Sequence, residues 1–523
     1  MLPNTIVDSL ETNARWRAEE CAVICGKTVM NWSALNALSN RVAHGLLQRG
    51  ITKGSRVAIL TSNRLEHLAT VFGVLKAGAS AVPLSPYLTG KIVATLAADA
   101  SVSALVADAD MLPLADAARQ ELDAPNRPLC VSVASDQPGW IEWERFLSGC
   151  DSEPAIALHE DDESVVIYSS GTTGTPKGIV HTHGSRREFA LGLALALRLT
   201  STSHGLVTTP LCSNGSWMIF APCVAAGVPV TITRDFSPDL FFDAVERNRC
   251  TVTFAVPTQT RALLDAPDFA ARDLSGFRNL VSSGAALPVG LKRRICEALP
   301  GRLIELYGQT EGVATILHPE EAADHLETVG RPGPGTDIVV LDDDGTELER
   351  GQIGEIAGWV PSQMRGYLNQ DEATARVWWF DSRGRRFVKT GDIGRIDEQG
   401  YLRVLDRKKD MIVSGGFNIF PQDIEEVMRD HPQVHDVAVI GVRHPRWGET
   451  PVAIVIPRAD NEASGNEILA WTNERVAKTQ RLHAVVLRSA DYPRNVIGKI
   501  LKRELRAEYG HLAVQHPGTE EES

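Results

Sequence analysis

Residues 168–178 read YSSGTTGTPKG, a run of glycines and hydroxyl side chains with one proline and a single lysine, Lys177. The apolar Val165-Val166-Ile167 precedes it and IVHTH follows it, so it reads as a loop between two strands. Gly171 and Gly174 let the backbone approach a phosphate chain closely, and successive N–H groups with the hydroxyls of Ser169, Ser170, Thr172 and Thr173 neutralise its oxygens. It is not a Walker loop, because Lys177 is not followed by Ser or Thr and the glycine spacing differs. A flexible linker has a similar composition, but linkers do not usually sit between apolar strands.

Outward from this loop, strands and helices alternate. Apolar Leu35, Leu38, Val42, Leu46 and Leu47 share one face of a helix over 32–49, followed by the strand RVAIL (56–60), a helix near 66–76 and the strand ASAVPL. The alternation recurs through GLVTTPL, PVTIT, TVTFAVP, NLVSSG and RLIELYG, which implies mostly parallel sheets covered on both faces. From Thr336 the texture changes to short strands with turn signals, the pattern of antiparallel hairpins. After Arg407-Lys408-Lys409 it becomes α+β again. The expected fold is α/β: a large N-terminal domain (1–408) of parallel α/β sheets plus a small β-barrel-like part, then a smaller α+β C-terminal domain (409–523).

A chain of 523 residues holds more than one domain, and 43% hydrophobic content is ordinary for a globular protein. A net charge of −13 argues against a general nucleic-acid binder. Eight cysteines are scattered without the spacing of a zinc site and read as buried thiols in a reducing compartment. The first sixteen residues carry no signal-peptide pattern, and the apolar stretch near 190–197 is too short to span a bilayer. A cytoplasmic protein without integral membrane association is expected, and a homodimer is left open as its assembly.

Four further segments, LKAGASAVPLSP (75–86), YGQTEG (307–312), KTGDIGRIDEQGYLRVLDRKKDMIVSGGFNIFPQDIEE (389–426) and PRNVIGKILKREL (493–505), complete a pattern. With the loop they resemble, in the same order and over nearly the whole chain, the adenylate-forming superfamily of acyl-CoA ligases, luciferases and peptide-synthetase adenylation domains. The resemblance implies ATP, Mg²⁺ and coenzyme A as co-substrates and cofactor, a small carboxylic acid as substrate, and a mobile C-terminal domain.

YGQTEG ends an apolar strand, where parallel α/β sheets place ligands, and an ordinary strand-end turn is the alternative. Tyr307 offers an aromatic face for adenine, Thr310 a hydroxyl for the phosphate and Glu311 a hard carboxylate for Mg²⁺. The resemblance assigns these same roles, includes Gly308 and Gln309 in the nucleotide site with Lys177, and lays Ser283, Gly284, Ala285 and Ala286 along the adenine. It makes Asp392, which reads as a turn residue, the acceptor for the two ribose hydroxyls, with Arg407 helping. Lys499 lies in a basic segment that would otherwise read as a solvated face. The resemblance makes it the catalytic lysine that bridges the substrate carboxylate and the α-phosphate, puts the hinge at Lys409, and lines a pantetheine tunnel with Ser414, Gly415, Gly416 and Phe417.

The segment TTPLCSNGSW (208–217) departs from the family pattern, with Cys212 and Ser213 where an aromatic and a histidine are usual. No charged residue occurs over 207–221, and FAVPTQT (254–260) and VSSGAALP (281–288) are uncharged as well. Burying an unpaired charge is costly, so these walls suggest a neutral, largely apolar monocarboxylic acid lined by Cys212, Ser216, Trp217, Phe254 and Gln259. Transfer to a carrier protein instead of coenzyme A, release of the acyl-adenylate to an oxidative step, and a nucleotide-binding pseudoenzyme are the competing readings. Retention of Lys177, Thr310, Glu311, Asp392, Arg407 and Lys499 disfavours the last.

Overall fold

The computed structural model describes residues 5–122, 127–168, 176–458, 464–494 and 499–514. Ser169, Ser170, Gly171, Thr172, Thr173 and Gly174 lie outside the described residues. Their flanks do not. Glu163–Tyr168 and Gly178–Thr182 pair antiparallel with Tyr168 opposite Gly178, so the chain leaves and re-enters the sheet at one level.

These two strands belong to an eight-stranded sheet whose body is parallel, built on Ser80–Pro83, Arg56–Leu60, Ala104–Asp108 and Leu129–Val133. A nine-stranded sheet has a parallel centre running from Leu303–Gln309 through Asn279–Ser282, Val252–Ala255, Gly205–Val207 and Val230–Ile232 to Cys21–Cys25. One core joins them: Val57 and Ile59 of the first sheet and Val230, Ile232 and Val252 of the second belong to the same buried cluster as helices Trp32–Leu47, Leu65–Lys76 and Asn214–Ala226. This sandwiched position explains why Leu65–Lys76 is buried almost all round rather than along one stripe.

The nine-stranded sheet ends differently from the parallel pattern expected at YGQTEG. Val313–Leu317 folds back antiparallel on Leu303–Gln309, pairing Gly308 with Ala314, so Thr310–Glu311–Gly312 form the tip of a hairpin. Gly312 at φ +122° makes that reversal, a backbone conformation suited to glycine.

A third, five-stranded sheet is antiparallel throughout and includes Gly354–Trp359, Arg386–Ile396 and Leu402–Arg407. Asp392 is therefore a strand residue, not a turn residue. KTGDIG reads like a turn because of its glycines, but Gly391 at φ +69° and a register shift at Ile393/Gly394 only bend an eleven-residue strand. The sheet changes between Arg407 and Ile412: Ile412–Ser414, Phe417–Ile419, Val434–His444, Gly448–Pro457 and Ala484–Leu487 form a separate mixed sheet with its own core. The cysteines are all free, but only Cys130, Cys223 and Cys250 are buried; Cys21, Cys25, Cys212 and Cys296 are half-buried and Cys150 is exposed. Among the described residues, no helix is long and apolar enough to cross a membrane.

Candidate active site

A cleft of about 1950 Å³ opens where the Thr310–Gly312 hairpin tip, helix His183–Ala196, the antiparallel sheet and residues 499–506 converge. Lys177, Arg186, Lys389, Arg407, Lys409 and Lys499 line it together with Glu311 and Asp410. Cations outnumber carboxylates in this wall although the chain is acidic overall, as suits a polyanion.

Asp392 organises one end. Its Oδ2 accepts from Tyr307 Oη at 2.8 Å and Gln309 Nε2 at 3.0 Å, and its Oδ1 faces Arg407 Nε at 2.8 Å. The carboxylate is only 4% exposed. Burial first, and then the Asp392 charge, push the Tyr307 phenol well above its ordinary range, so it stays a donor. Tyr307 is thus a hydrogen-bonding strut as well as an aromatic surface. Ser283, Gly284, Gly308 and Gln309 line the cleft, whereas Tyr307, Asp392, Ala285 and Ala286 are not among its lining residues; Asp392 meets it through its partners Gln309 and Arg407, which are.

Glu311 sits opposite. Its Oε1 accepts from Tyr367 Oη at 3.0 Å, and the Lys177 ammonium lies 4.5 Å from the centre of the Tyr367 ring. Among the described residues no group of three or more His, Cys, Asp or Glu side chains forms a metal cage. Glu311 without a protein cage around it fits magnesium held chiefly by water and substrate phosphates.

Lys499 enters from the segment that follows Ala484–Leu487, the last strand in sequence of the C-terminal sheet. Arg494 Nη2 to Asp436 Oδ2 at 2.8 Å, Lys502 Nζ to Glu425 Oε1 at 2.7 Å and Arg506 Nη1 to Asp410 Oδ1 at 2.9 Å fasten the flanks of its segment. These basic residues are paired rather than solvated. Burial, followed by the Arg407 charge, pushes the Lys499 ammonium down to about 8. Lys409 also lines the cleft, and burial lowers it too.

Ser414, Gly415, Gly416 and Phe417 form a hairpin outside the cleft lining. Gly415 at φ +57° and Gly416 at φ +84° make the reversal, and Phe417 is exposed. The conformation therefore presents Lys499, and not the glycine hairpin, to the cleft.

Cys212 and Phe254 line the cleft, with burial pushing the Cys212 thiol up to about 12. Three other expected lining residues do not. Ser216 turns inward, its hydroxyl 2.8 Å from Thr209 Oγ1 and 2.7 Å from the Pro210 carbonyl. Trp217 is fully buried with its ring 4.6 Å from Phe220, and Gln259 caps its own helix by accepting from Val256 N at 3.2 Å. Asn214, Gly215 and Met218 from the same helix line the cleft instead. Gly215 is required there, because a β-carbon would come within 2.4 Å of the Phe254 ring.

The walls are also not uncharged. Arg186, from helix His183–Ala196, lines the cleft with 1% exposure. It shares the buried stripe of Ala190 and Leu193 at i, i+4 and i+7, a signal present in the sequence.

Comparison with known proteins agrees with this geometry. The family model described as AMP-binding enzyme matches residues 10–368, and that of the AMP-binding enzyme C-terminal domain matches 423–499. The chain is 34% identical to a long-chain-fatty-acid–CoA ligase of Mycobacterium tuberculosis over 92% of this chain and 93% of the relative. It is 33% identical to a feruloyl-CoA synthase of Amycolatopsis, covering 95% and 97%. ATP-bound MatB from Rhodopseudomonas palustris superposes with a TM-score of 0.86 at 26% identity, covering 97% and 99%.

Proposed function

The chain belongs to the AMP-binding enzyme family and is an AMP-forming acid–thiol ligase, and on that premise we propose how its residues divide the two half-reactions. ATP and coenzyme A are the co-substrates that family membership implies. In the first step the acid's carboxylate oxygen attacks the α-phosphorus of ATP, the bond to the β-phosphate oxygen breaks, and pyrophosphate leaves with acyl-AMP remaining. Asp392, held by Tyr307, Gln309 and Arg407, accepts the ribose hydroxyls; a carboxylate offers two acceptors to a vicinal diol. Lys499 stabilises charge developing on the α-phosphate. Thr310 and Lys177 steady the phosphates, and Glu311 would hold magnesium, which supplies charge neutralisation on the phosphate oxygens.

In the second step the thiol of coenzyme A attacks the acyl carbon and AMP leaves. Lys499 is then no longer needed, and rotation about Lys409 would bring Gly415 and Gly416 to the cleft. The chain provides positioning and electrostatics rather than covalent chemistry, and the closed cleft keeps water from the acyl-adenylate.

The observation that carries this reading is that Lys499, half-buried, lines the same cleft as Glu311 and as Gln309 and Arg407 of the Asp392 cluster. Acid-dependent pyrophosphate release, followed by thioester formation on added coenzyme A, tests it. The eight free thiols support a reducing, cytoplasmic location. Met218, Phe254 and Leu306 favour an acid with an apolar body. The expectation that this acid is otherwise neutral rested on three uncharged segments, and Arg186 stands against it.

A further inference from the structure

The Arg186 guanidinium is the most incompletely satisfied charge in the cleft wall. Its Nη1 donates to Asn214 Oδ1 at 2.9 Å. Its faces are covered by Phe189 and Trp217, each ring centroid 5.1 Å from the guanidinium carbon. Nε and Nη2 are buried and have no hydrogen-bond partner among the described residues. The neighbouring carboxylate does not compensate, because Glu188 pairs with Arg187 at 2.6 Å. His181, also in the cleft wall, is fully buried, and burial and then the Arg186 charge push it well below its ordinary range, so it is neutral and brings no second cation.

The vacant pair of N–H groups has a specific shape. Nε–H and Nη2–H form the side-on edge of the guanidinium, two parallel donors that match the two oxygens of a carboxylate. Aromatic faces favour a cation but offer no acceptor to that edge. A buried cation without a counter-anion is unfavourable, and burial alone already lowers Arg186 to about 9. A ligand carboxylate would satisfy both donors and neutralise the charge, whereas a methyl group in the same place would leave both unsatisfied.

We propose that Arg186, positioned by Asn214, is a specificity residue that receives a second carboxylate at the far end of the acid substrate, so the preferred acids are dicarboxylic with an apolar middle. This rests on the ligase reading, which places the reacting carboxylate at the Lys499 end. Phe254 and Met218 line the same cleft and suit an apolar skeleton. The arrangement replaces the neutral monocarboxylic acid suggested by the uncharged segments.

The test pairs straight-chain α,ω-diacids of about four to ten carbons with monoacids of equal length, read as pyrophosphate release and as direct calorimetric binding without ATP. The native protein should prefer the best diacid over its matched monoacid by roughly hundredfold in kcat/KM, because a site built for hydrogen bonding rejects the analogue that lacks the group. Arg186→Leu should lose the diacid and gain the monoacid, and Arg186→Lys should keep part of the preference. Asn214→Ala should weaken the diacid selectively. Thermal unfolding identifies a variant that does not fold, and the native panel with Asn214→Ala then decides. Preference for monoacids by the native protein overturns the proposal, as does an equal loss of both acids in folded Arg186→Leu. Arg186-dependent diacid binding without pyrophosphate release would sink the ligase reading and leave Arg186 standing. Thioester formation from monoacids alone would do the reverse.

Discussion

Arg407 and Asp392 face each other as register partners on adjacent strands, with Nε 2.8 Å from Oδ1. The pairing leaves Oδ2 to Tyr307 and Gln309, so the carboxylate is fixed from three sides before any nucleotide binds. Asp392→Ala should weaken ATP binding by about 1–3 kcal/mol, the range for hydrogen bonds to a charged group. Calorimetric titration checks it, and unchanged affinity would return Asp392 to a purely structural role. Tyr307→Phe should cost less, about 0.5–1.5 kcal/mol, because it removes one neutral donor.

Lys499→Ala should abolish acyl-AMP formation while sparing thioester formation from supplied acyl-AMP. Stopped assays of each half-reaction separate the two. Equal loss of both in a folded protein contradicts the assignment.

The pH profile follows from the same residue. Burial holds Lys499 at about 8, below the ordinary lysine value, so its charged fraction falls as pH rises through that point. The kcat/KM for pyrophosphate release, which reports the free enzyme, should therefore decline above about pH 8. Lys499→Arg should move that limb to higher pH even where it lowers the rate. A native profile flat to pH 10 or so would contradict the depressed ammonium.

Glu311→Gln should raise the magnesium concentration needed for half-maximal rate by roughly tenfold or more, since it removes the carboxylate proposed to hold the metal. Titration of pyrophosphate release with magnesium at fixed ATP measures this. An unchanged requirement would leave Glu311 as a partner of Tyr367 only.

Trp217→Ala should destabilise the protein by about 3–5 kcal/mol, the cost of emptying a buried aromatic site, and loosen the Arg186 guanidinium that the ring covers, without opening the cleft to bulkier acids. Met218→Ala, at the cleft wall, should shift preference toward bulkier acids. Chemical denaturation and the acid panel read the two effects. Broadened selectivity in Trp217→Ala at unchanged stability would put that ring in the pocket after all.

The sequence made the parallel body and most site-bearing segments readable, because strand periodicity and glycine-hydroxyl runs are local signals. RVAIL became the strand Arg56–Leu60, and the helix expected over 238–248 is Pro238–Asn248. What it hid depends on distant chain. Asp392 looked like a turn because the pairing that keeps it in a strand comes from Leu402–Arg407. Trp217 and Ser216 looked pocket-facing because a helix buried on nearly every side gives no periodicity to say which face meets the cleft. Arg186 is not legible from the apolar segments after residue 207, because this wall is built by a helix that ends at Ala196. Its place on the stripe of Ala190 and Leu193 was the available clue.

The most direct measurement follows ATP, AMP, pyrophosphate and free coenzyme A in one reaction, with a panel of mono- and dicarboxylic acids and with acid or coenzyme A omitted in turn. The account predicts acid-dependent pyrophosphate release, AMP equal to pyrophosphate, and one thioester per AMP only when coenzyme A is present. ATP cleavage to ADP, cleavage independent of acid, or AMP accumulation with no thioester on coenzyme A for any acid in the panel would contradict it.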